Sequence, residues 1–260
     1  MKTFSTWQSA QSTDIAFVPT MGALHDGHLA LISQARQLSP HVVVSIFVNP
    51  LQFDNPDDLA RYPRDLEGDI AKAESAGASE IWAPTYDEVY PGEIERISSG
   101  EVGKTFEGAS RAGHFDGMLT VVNQLFKTVQ PRYAIFGEKD FQQLYIVQTW
   151  VRKSGIPVEI VPAPIVRESD GLAMSSRNIR LSPTDRQAAL VISKALRSGS
   201  KERALEILQS EPAFTLDYFE IIDPATFTIA HEPVPGSRAI VAGWINGVRL
   251  LDNMPMEVRV

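Results

Sequence analysis

Seven consecutive residues, Val42-Val43-Val44-Ser45-Ile46-Phe47-Val48, carry a single polar side chain. A strand with one wet face alternates polar and apolar residues, so a run this uniform reads as a strand covered on both faces. It needs helices above and below, and the flanking sequence supplies them. Ile15–Val18 is a shorter apolar run, and Leu29–Arg36 behind it repeats apolar positions at helical spacing. A helical stretch over 66–76 leads to a strand at Glu80–Ala83. Residues 115–129 read as a helix with Leu119, Val122, Leu125 and Phe126 on one face. Tyr133–Phe136 is a strand, Phe141–Lys153 a helix and Val158–Val161 a strand. This alternation predicts an α/β fold with a doubly wound parallel sheet and ligands beyond the strands' carboxyl ends.

The pattern changes after about Val166. Two helical segments, Pro183–Arg197 and Lys201–Gln209, precede strand-like runs at Leu216–Ile222, Arg238–Ala242 and Val248–Leu251. Helices first and strands afterwards predict a separate, smaller α+β domain, dividing the chain into 1–165 and 166–260. Apolar residues make up 43% of the 260 and charged ones 22%, which excludes disorder. A net charge of −8 argues against nucleic acid as the principal partner. With no Cys there is neither disulfide nor thiolate chemistry. The polar start, Met1–Trp7, lacks a signal-peptide core, and no apolar run approaches membrane-spanning length. The expectation is a soluble, cytoplasmic protein with no membrane partner.

The turn Pro19-Thr20-Met21-Gly22-Ala23-Leu24-His25-Asp26-Gly27-His28 joins the first of these strands to a helix and holds two of the chain's five histidines. A helix start presents unpaired N–H groups and a partial positive charge, which suit a phosphate. Glycine lets the backbone approach closely, and the imidazoles add donors. The expectation is a nucleotide site lined by amides. A metal site would want a third ligand, and no Cys or nearby third His offers one. Ordinary turn histidines are the remaining alternative.

Other loops leave the same sheet edge. Asn49-Pro50-Leu51-Gln52-Phe53 offers amide donors and acceptors for a small substrate's hydroxyl and carboxylate groups, or else is a plain proline turn. In Gly137-Glu138-Lys139-Asp140-Phe141-Gln142-Gln143, Lys139 is placed to meet phosphate and Gln143 to reach a substrate; a solvated lysine is the competing account. Met174-Ser175-Ser176-Arg177-Asn178 joins two hydroxyls to a guanidinium, which fits a triphosphate tail, with helix capping as the alternative. Gly103-Lys104-Thr105 imitates the end of a P-loop, but Ser98 stands where that motif needs Gly and no buried strand precedes it, so we reject it. Arg111 and His114 are better candidates for a substrate-side loop. Among the acids between Asp54 and Asp69, one is a candidate contact for Mg²⁺ held mainly by nucleotide phosphates.

Taken in order, Pro19–His28, Asn49–Phe53 with Tyr62-Pro63-Arg64, Glu107–Gly117 with Thr120-Val121-Val122, Phe136–Leu144 and Val166–Asn178 resemble the pantoate–β-alanine ligase (pantothenate synthetase) family. The resemblance covers most of residues 15–182. Ala112 departs from the family's pattern, and the C-terminal third matches only in length and general pattern.

The resemblance implies a Rossmann-like domain of the nucleotidyltransferase superfamily over 1–165 and an α+β lid over 166–260. It implies that pantoate's carboxylate attacks the α-phosphorus of ATP, and that β-alanine then displaces AMP from the acyl adenylate. Pro19, Thr20, Met21, Gly22, His25, Gly27, His28, Gly137, Lys139, Asp140, Val166, Met174, Ser175, Ser176 and Arg177 would line the ATP. His28 and His25 act at the α-phosphate, and Lys139 and Arg177 neutralise the outer phosphates. Gln52 and Gln143 take pantoate, Asn49 and Arg111 assist with pantoate or β-alanine, and Asp69 is the weak carry-over for Mg²⁺. A homodimer is implied in the same way.

Three rivals share parts of this pattern. A plain nucleotidylyltransferase would want a basic acceptor pocket instead of Asn49 and Gln52. A class I aminoacyl-tRNA synthetase fragment sits badly with the acidic balance, and a sensor without turnover would not need His25, His28, Lys139 and Arg177 together.

Overall fold

The computed structural model describes residues 2–4, 14–231 and 236–256, so most of the polar start over 1–7 lies outside the described residues. The chain folds as two compact units: residues 1–138 with 142–164, and residues 165–260 together with 139–141.

The first unit holds strands β1 (Lys2–Phe4), β2 (Ile15–Thr20), β3 (His41–Ile46), β4 (Glu80–Trp82), β5 (Tyr133–Gly137) and β6 (Glu159–Ala163). They form one parallel sheet in the order β1-β4-β3-β2-β5-β6. Between them run α1 (Asp26–Leu38), α2 (Pro56–Ala60), α3 (Leu66–Ser75), α4 (Tyr86–Val89), α5 (Glu107–Ser110), α6 (His114–Val129) and α7 (Phe141–Ser154). The chain winds outward from β2 through β3 and β4, then returns to the other side of β2 for β5 and β6. The winding reverses beside β2, and such reversal points open a crevice at the strands' carboxyl ends.

Val42, Val43, Val44 and Ser45 are all 0% exposed, as a strand covered on both faces requires. Successive side chains point to opposite faces. Ala16, Val18, Val42 and Val44 therefore join Ile32 and Ala35 of α1 and Ala73 of α3 in one core. Phe17 points the other way, edge-on to Phe126 of α6, which in turn stacks near Trp150 of α7. β1, α2, α4 and α5 were not expected. Each spans five residues or fewer, too few for a periodic pattern; α4 owes its start to a reciprocal cap between Thr85 and Glu88.

The second unit contains α8 (Pro183–Leu196), α9 (Lys201–Gln209), β7 (Phe214–Asp223), β8 (Thr228–Ile229), β9 (Arg238–Ile245) and β10 (Val248–Pro255). Its strands are antiparallel in the order β10-β9-β7-β8. Ala189, Ile192 and Leu196 of α8 and Leu208 of α9 bury against Val241 and Ile245 of β9. Residues 166–174 form a narrow hairpin. Met174 N–H donates to Val166 O at 3.0 Å and Arg167 bridges Ala173.

Candidate active site

Because the strands are parallel, the turn after β2, the loop after β3 and the end of β5 all leave the sheet at one edge. The turn after β2 is built by side chains that bond to its own backbone. His25 is the N-cap of α1, and its Nδ1 accepts the N–H of Gly27 at 3.1 Å. His28 Nδ1 accepts the N–H of His25 at 3.3 Å, completing a reciprocal cap. The two rings lie 4.2 Å apart between centroids. An Nδ1 that accepts a hydrogen bond carries no proton, so the neutral ring must hold its proton on Nε2. Both histidines are thereby set as Nε2–H donors.

The rest of the turn corrects the expectation of unpaired amides. Gly22 N–H donates to Thr20 Oγ1 at 3.2 Å, and that hydroxyl donates to Ser45 O at 2.7 Å. Ala23 and Leu24 N–H donate to the two oxygens of Asp69 at 2.8 and 2.7 Å. The N–H groups of residues 22–25 and of Gly27 are all engaged, so they do not form an anion cradle. Those five amides are spoken for, and the side chains of the turn and the partial positive charge of α1 are what it offers an anion beside them. Asp69 is corrected with them. It is 2% exposed in the first turn of α3, and both oxygens hold the turn rather than facing an ion. Gly22 has φ +82°, and a Cβ there would stand 2.8 Å from Asp69 Oδ2, so only glycine fits.

Asn49 and Arg111, expected as substrate contacts, are also placed differently. Asn49 is 1% exposed, and its amide makes all four bonds open to it. Oδ1 accepts from Leu51 N–H at 3.2 Å and from the Tyr90 hydroxyl at 2.9 Å. Nδ2 donates to Gln52 Oε1 at 3.0 Å and to Gly117 O at 3.1 Å. Arg111 reaches Asp54, Glu107, His114 and the Gln52 carbonyl at 3.2–3.5 Å, while His114 Nδ1 donates to that same carbonyl at 2.7 Å. Both residues brace the loop that carries Gln52. At Gly117 a Cβ would come within 1.9 Å of Leu51 O, so α6 can approach this loop only with glycine there.

The neighbouring glutamines of α7 divide in the same way. Gln142 is buried and ties down residues 102–107 through Val102 O, Thr105 O and Glu107 N–H. Gln143, one position on and turned about 100° around the helix, is half-buried.

In the second unit, Lys139 is held from behind by Asn253, whose Nδ2 donates to Lys139 O at 2.8 Å; its ammonium lies 3.5 Å from Asp140. Gly137 and Val166 are half-buried, as are Met174, Ser175, Ser176 and Arg177. Ser175 caps a short 3-10 turn, accepting from Arg177 N–H at 3.2 Å, so the capping account holds for that hydroxyl. Arg167 forks onto Asp252 at 2.6 and 2.9 Å and anchors the hairpin that begins at Val166. Asn178 donates to Glu168, which pairs with Arg186. Burial alone would raise the neighbouring Asp170, but the Leu172 N–H and the Arg186 guanidinium outweigh it and hold that carboxyl below its ordinary range.

Tyr90, Gly117, Asp252 and Asn253 escaped sequence reading as site-building residues. No spacing rule marks them, because each acts across a long stretch of chain. Lys104 is exposed and paired with Glu101 at 2.6 Å, and residues 90–103 just before it form no strand. Among the described residues, no cluster of three or more His, Cys, Asp or Glu is arranged to hold a metal. No described helix is long and apolar enough to cross a membrane.

Comparison with known proteins bears on this geometry. The family model described as pantoate-beta-alanine ligase matches residues 1–255. Pantothenate synthetase from Thermus thermophilus is 49% identical over 254 residues, covering 92% of each chain. That of Aquifex aeolicus is 44% identical over 273 residues, covering 99% of this chain and 96% of its own. The crystal structure of the Thermus thermophilus enzyme superposes with a TM-score of 0.93 at 44% identity, covering 98% of this chain and 99% of that one. A pantoate-beta-alanine ligase from Francisella tularensis, complexed with beta-gamma ATP and β-alanine, gives 0.80 at 38% identity, covering 93% of this chain and 89% of that one. With a family model over nearly its whole length and relatives this similar, the chain belongs to the pantoate–β-alanine ligase family.

Proposed function

We infer that this chain carries out its family's reaction, the ATP-dependent condensation of pantoate with β-alanine to give pantothenate. In the first step a pantoate carboxylate oxygen bonds to the α-phosphorus of ATP, and pyrophosphate leaves with the electron pair of the broken P–O bond. In the second, the amine of β-alanine attacks the acyl carbon and AMP departs. Neither step needs a nucleophile from the protein, which suits a chain without Cys. The protein's task is to hold two anions together and to neutralise charge gathering on the phosphate.

The observation that carries the site assignment is the paired imidazole cap. Backbone N–H groups engage both Nδ1 atoms, which places the ring proton of each neutral imidazole on Nε2. We assign His28 Nε2–H to the α-phosphate oxygen that gains charge during attack, and His25 to its neighbour. From the first unit, Gln52 and Gln143 take pantoate's hydroxyl and carboxylate, with Asn49 and Arg111 acting behind Gln52. Pro19, Thr20, Met21, Gly22 and Gly27 shape the nucleotide's side of the turn. The family resemblance implies that Lys139, Ser175, Ser176 and Arg177 answer the outer phosphates, flanked by Asp140, Val166 and Met174. The residues present do not make a magnesium cage, since Asp69 is committed to the turn and no carboxylate cluster among the described residues stands in for it. On the family resemblance, Mg²⁺ would be held mainly by the nucleotide's own phosphates. The same reading makes the enzyme cytoplasmic and homodimeric, on the family resemblance.

The test is to mix the protein with ATP, Mg²⁺ and pantoate, omit the amine, and follow pyrophosphate release and the acyl adenylate by mass spectrometry. Pyrophosphate and an adenylate of pantoate's mass are the expected products. If neither appears, the assignment is refuted.

A further inference from the structure

Tyr90 has no place in the chemistry just described, yet it is 5% exposed and its hydroxyl reaches the loop that carries Gln52. The polarity of that loop is fixed in a chain of forced choices that starts from the backbone. Leu51 N–H can only donate, so the Asn49 atom facing it must be Oδ1. Gly117 O can only accept, so the atom facing it must be Nδ2. Nδ2 then needs an acceptor in Gln52, which makes the facing atom Oε1 and turns Gln52 Nε2 to the other side. The Tyr90 hydroxyl must donate, because Asn49 Oδ1 only accepts.

We propose that Tyr90 is a positioning residue for pantoate: acting through Asn49, it locks the Gln52 amide with its N–H₂ toward the substrate, selecting a pantoate oxygen that accepts. This rests on the assignment of Gln52 to pantoate. Two further observations support it. The Tyr90 ring is wedged against Phe47 and Tyr86, with centroids 6.2 and 5.0 Å away, so the hydroxyl cannot swing off its partner. Burial pushes the Tyr90 phenol well above its ordinary range, so it stays a donor throughout the working pH.

Tyr90→Phe removes the hydroxyl and keeps the ring. Its loss leaves Asn49 held by Leu51 N–H and Gly117 O but removes one of the two bonds on Oδ1, so the Asn49–Gln52 pair is held less tightly and the KM for pantoate should rise about three- to tenfold, the scale of one neutral hydrogen bond. The KM for ATP and the melting temperature should stay near wild type. In a Gln52→Ala background the same change should add nothing to the pantoate KM. A Tyr90→Phe variant with unchanged pantoate KM, or one whose effect persists undiminished without Gln52, overturns the positioning role while leaving Gln52's assignment intact. If Gln52→Ala itself leaves the pantoate KM unaltered, the assignment of Gln52 fails, and the role of Tyr90 falls with it.

Discussion

Replacing Asp69 by Asn separates two accounts of this residue that share a site but not a mechanism. The side chains are nearly isosteric, so packing is preserved and only the acceptors change. Asp69 takes Ala23 and Leu24 N–H at 2.8 and 2.7 Å. An asparagine keeps one oxygen and turns an N–H₂ group toward the other amide. Leu24 is 2% exposed and Ala23 is half-buried, so the oxygen should stay with Leu24, and Ala23 N–H should be left facing a second donor. Losing one charge-assisted bond at a partly buried donor costs ~1.5–3 kcal/mol. In a unit of this size that lowers the melting temperature by about 3–10 °C. The turn that sets His25 would also loosen, and a displacement near 1 Å at a reacting group costs ~10²-fold in rate. Gly22→Ala strikes the same contact from the other side, with its Cβ 2.8 Å from Asp69 Oδ2 and a φ of +82° that alanine resists. It should give the same phenotype. The assays are urea unfolding and pyrophosphate release over a range of Mg²⁺ concentrations. If Asp69→Asn keeps full stability and instead raises the Mg²⁺ needed for half-maximal rate, Asp69 is an ion contact and our account of the turn is wrong.

His28→Ala should lower pyrophosphate release ~10²–10³-fold by removing a transition-state donor, and near-normal turnover would remove it from the mechanism. In the resting enzyme, ¹⁵N spectra should give both rings the shifts of an unprotonated Nδ1 and a protonated Nε2; the opposite tautomer would contradict the capping geometry. Gln143→Ala should weaken pantoate more than ATP in steady-state kinetics, and equal losses would contradict its placement. Gly117→Ala should be harmful although alanine usually strengthens a helix: the Leu51 carbonyl must retreat about 1.1 Å, from 1.9 Å to the 3.0 Å below which real Cβ contacts are essentially absent. That predicts a rise in pantoate KM together with ~1–3 kcal/mol of lost stability, and a more stable, fully active variant would refute it. Asp252→Ala leaves the Arg167 guanidinium, 18% exposed, without the carboxylate it forks onto. Calorimetry should register ~3–5 kcal/mol lost, with a transition unchanged within about 1 kcal/mol counting against the pair as an anchor.

What could be read in the sequence and what could not divide along a physical line. Val42–Val48 announced a covered strand because burial on both faces leaves a one-dimensional signature. Ile15–Val18, Tyr133–Phe136 and the helices over 26–38, 114–129 and 141–154 were visible for the same reason: period and apolarity survive projection onto the chain. β1 left no such trace, since three residues cannot establish a period. The site was legible in residue type rather than in role. Pro19–His28 declared a strand, a turn and a capped helix, yet a free amide and an amide bonded to Asp69, 46 residues away, look identical in sequence.

The same blindness explains Asn49 and Arg111. Both have the chemistry of a substrate contact, and only their partners reveal that they brace one. Asn49 answers to Tyr90, 41 residues on, and to Gly117, 68 residues on. Residues that touch substrate tend to sit in short motifs at strand ends, where the fold delivers them together. Residues that hold them in place are recruited from wherever the chain passes by. In this enzyme the second kind takes in Asp69, Asn49, Tyr90 and Gly117. The local cap orients the His25–His28 rings, but the setting of the turn that carries them, and of Gln52, is a tertiary property, created only when β2, α3, α4 and α6 have come together.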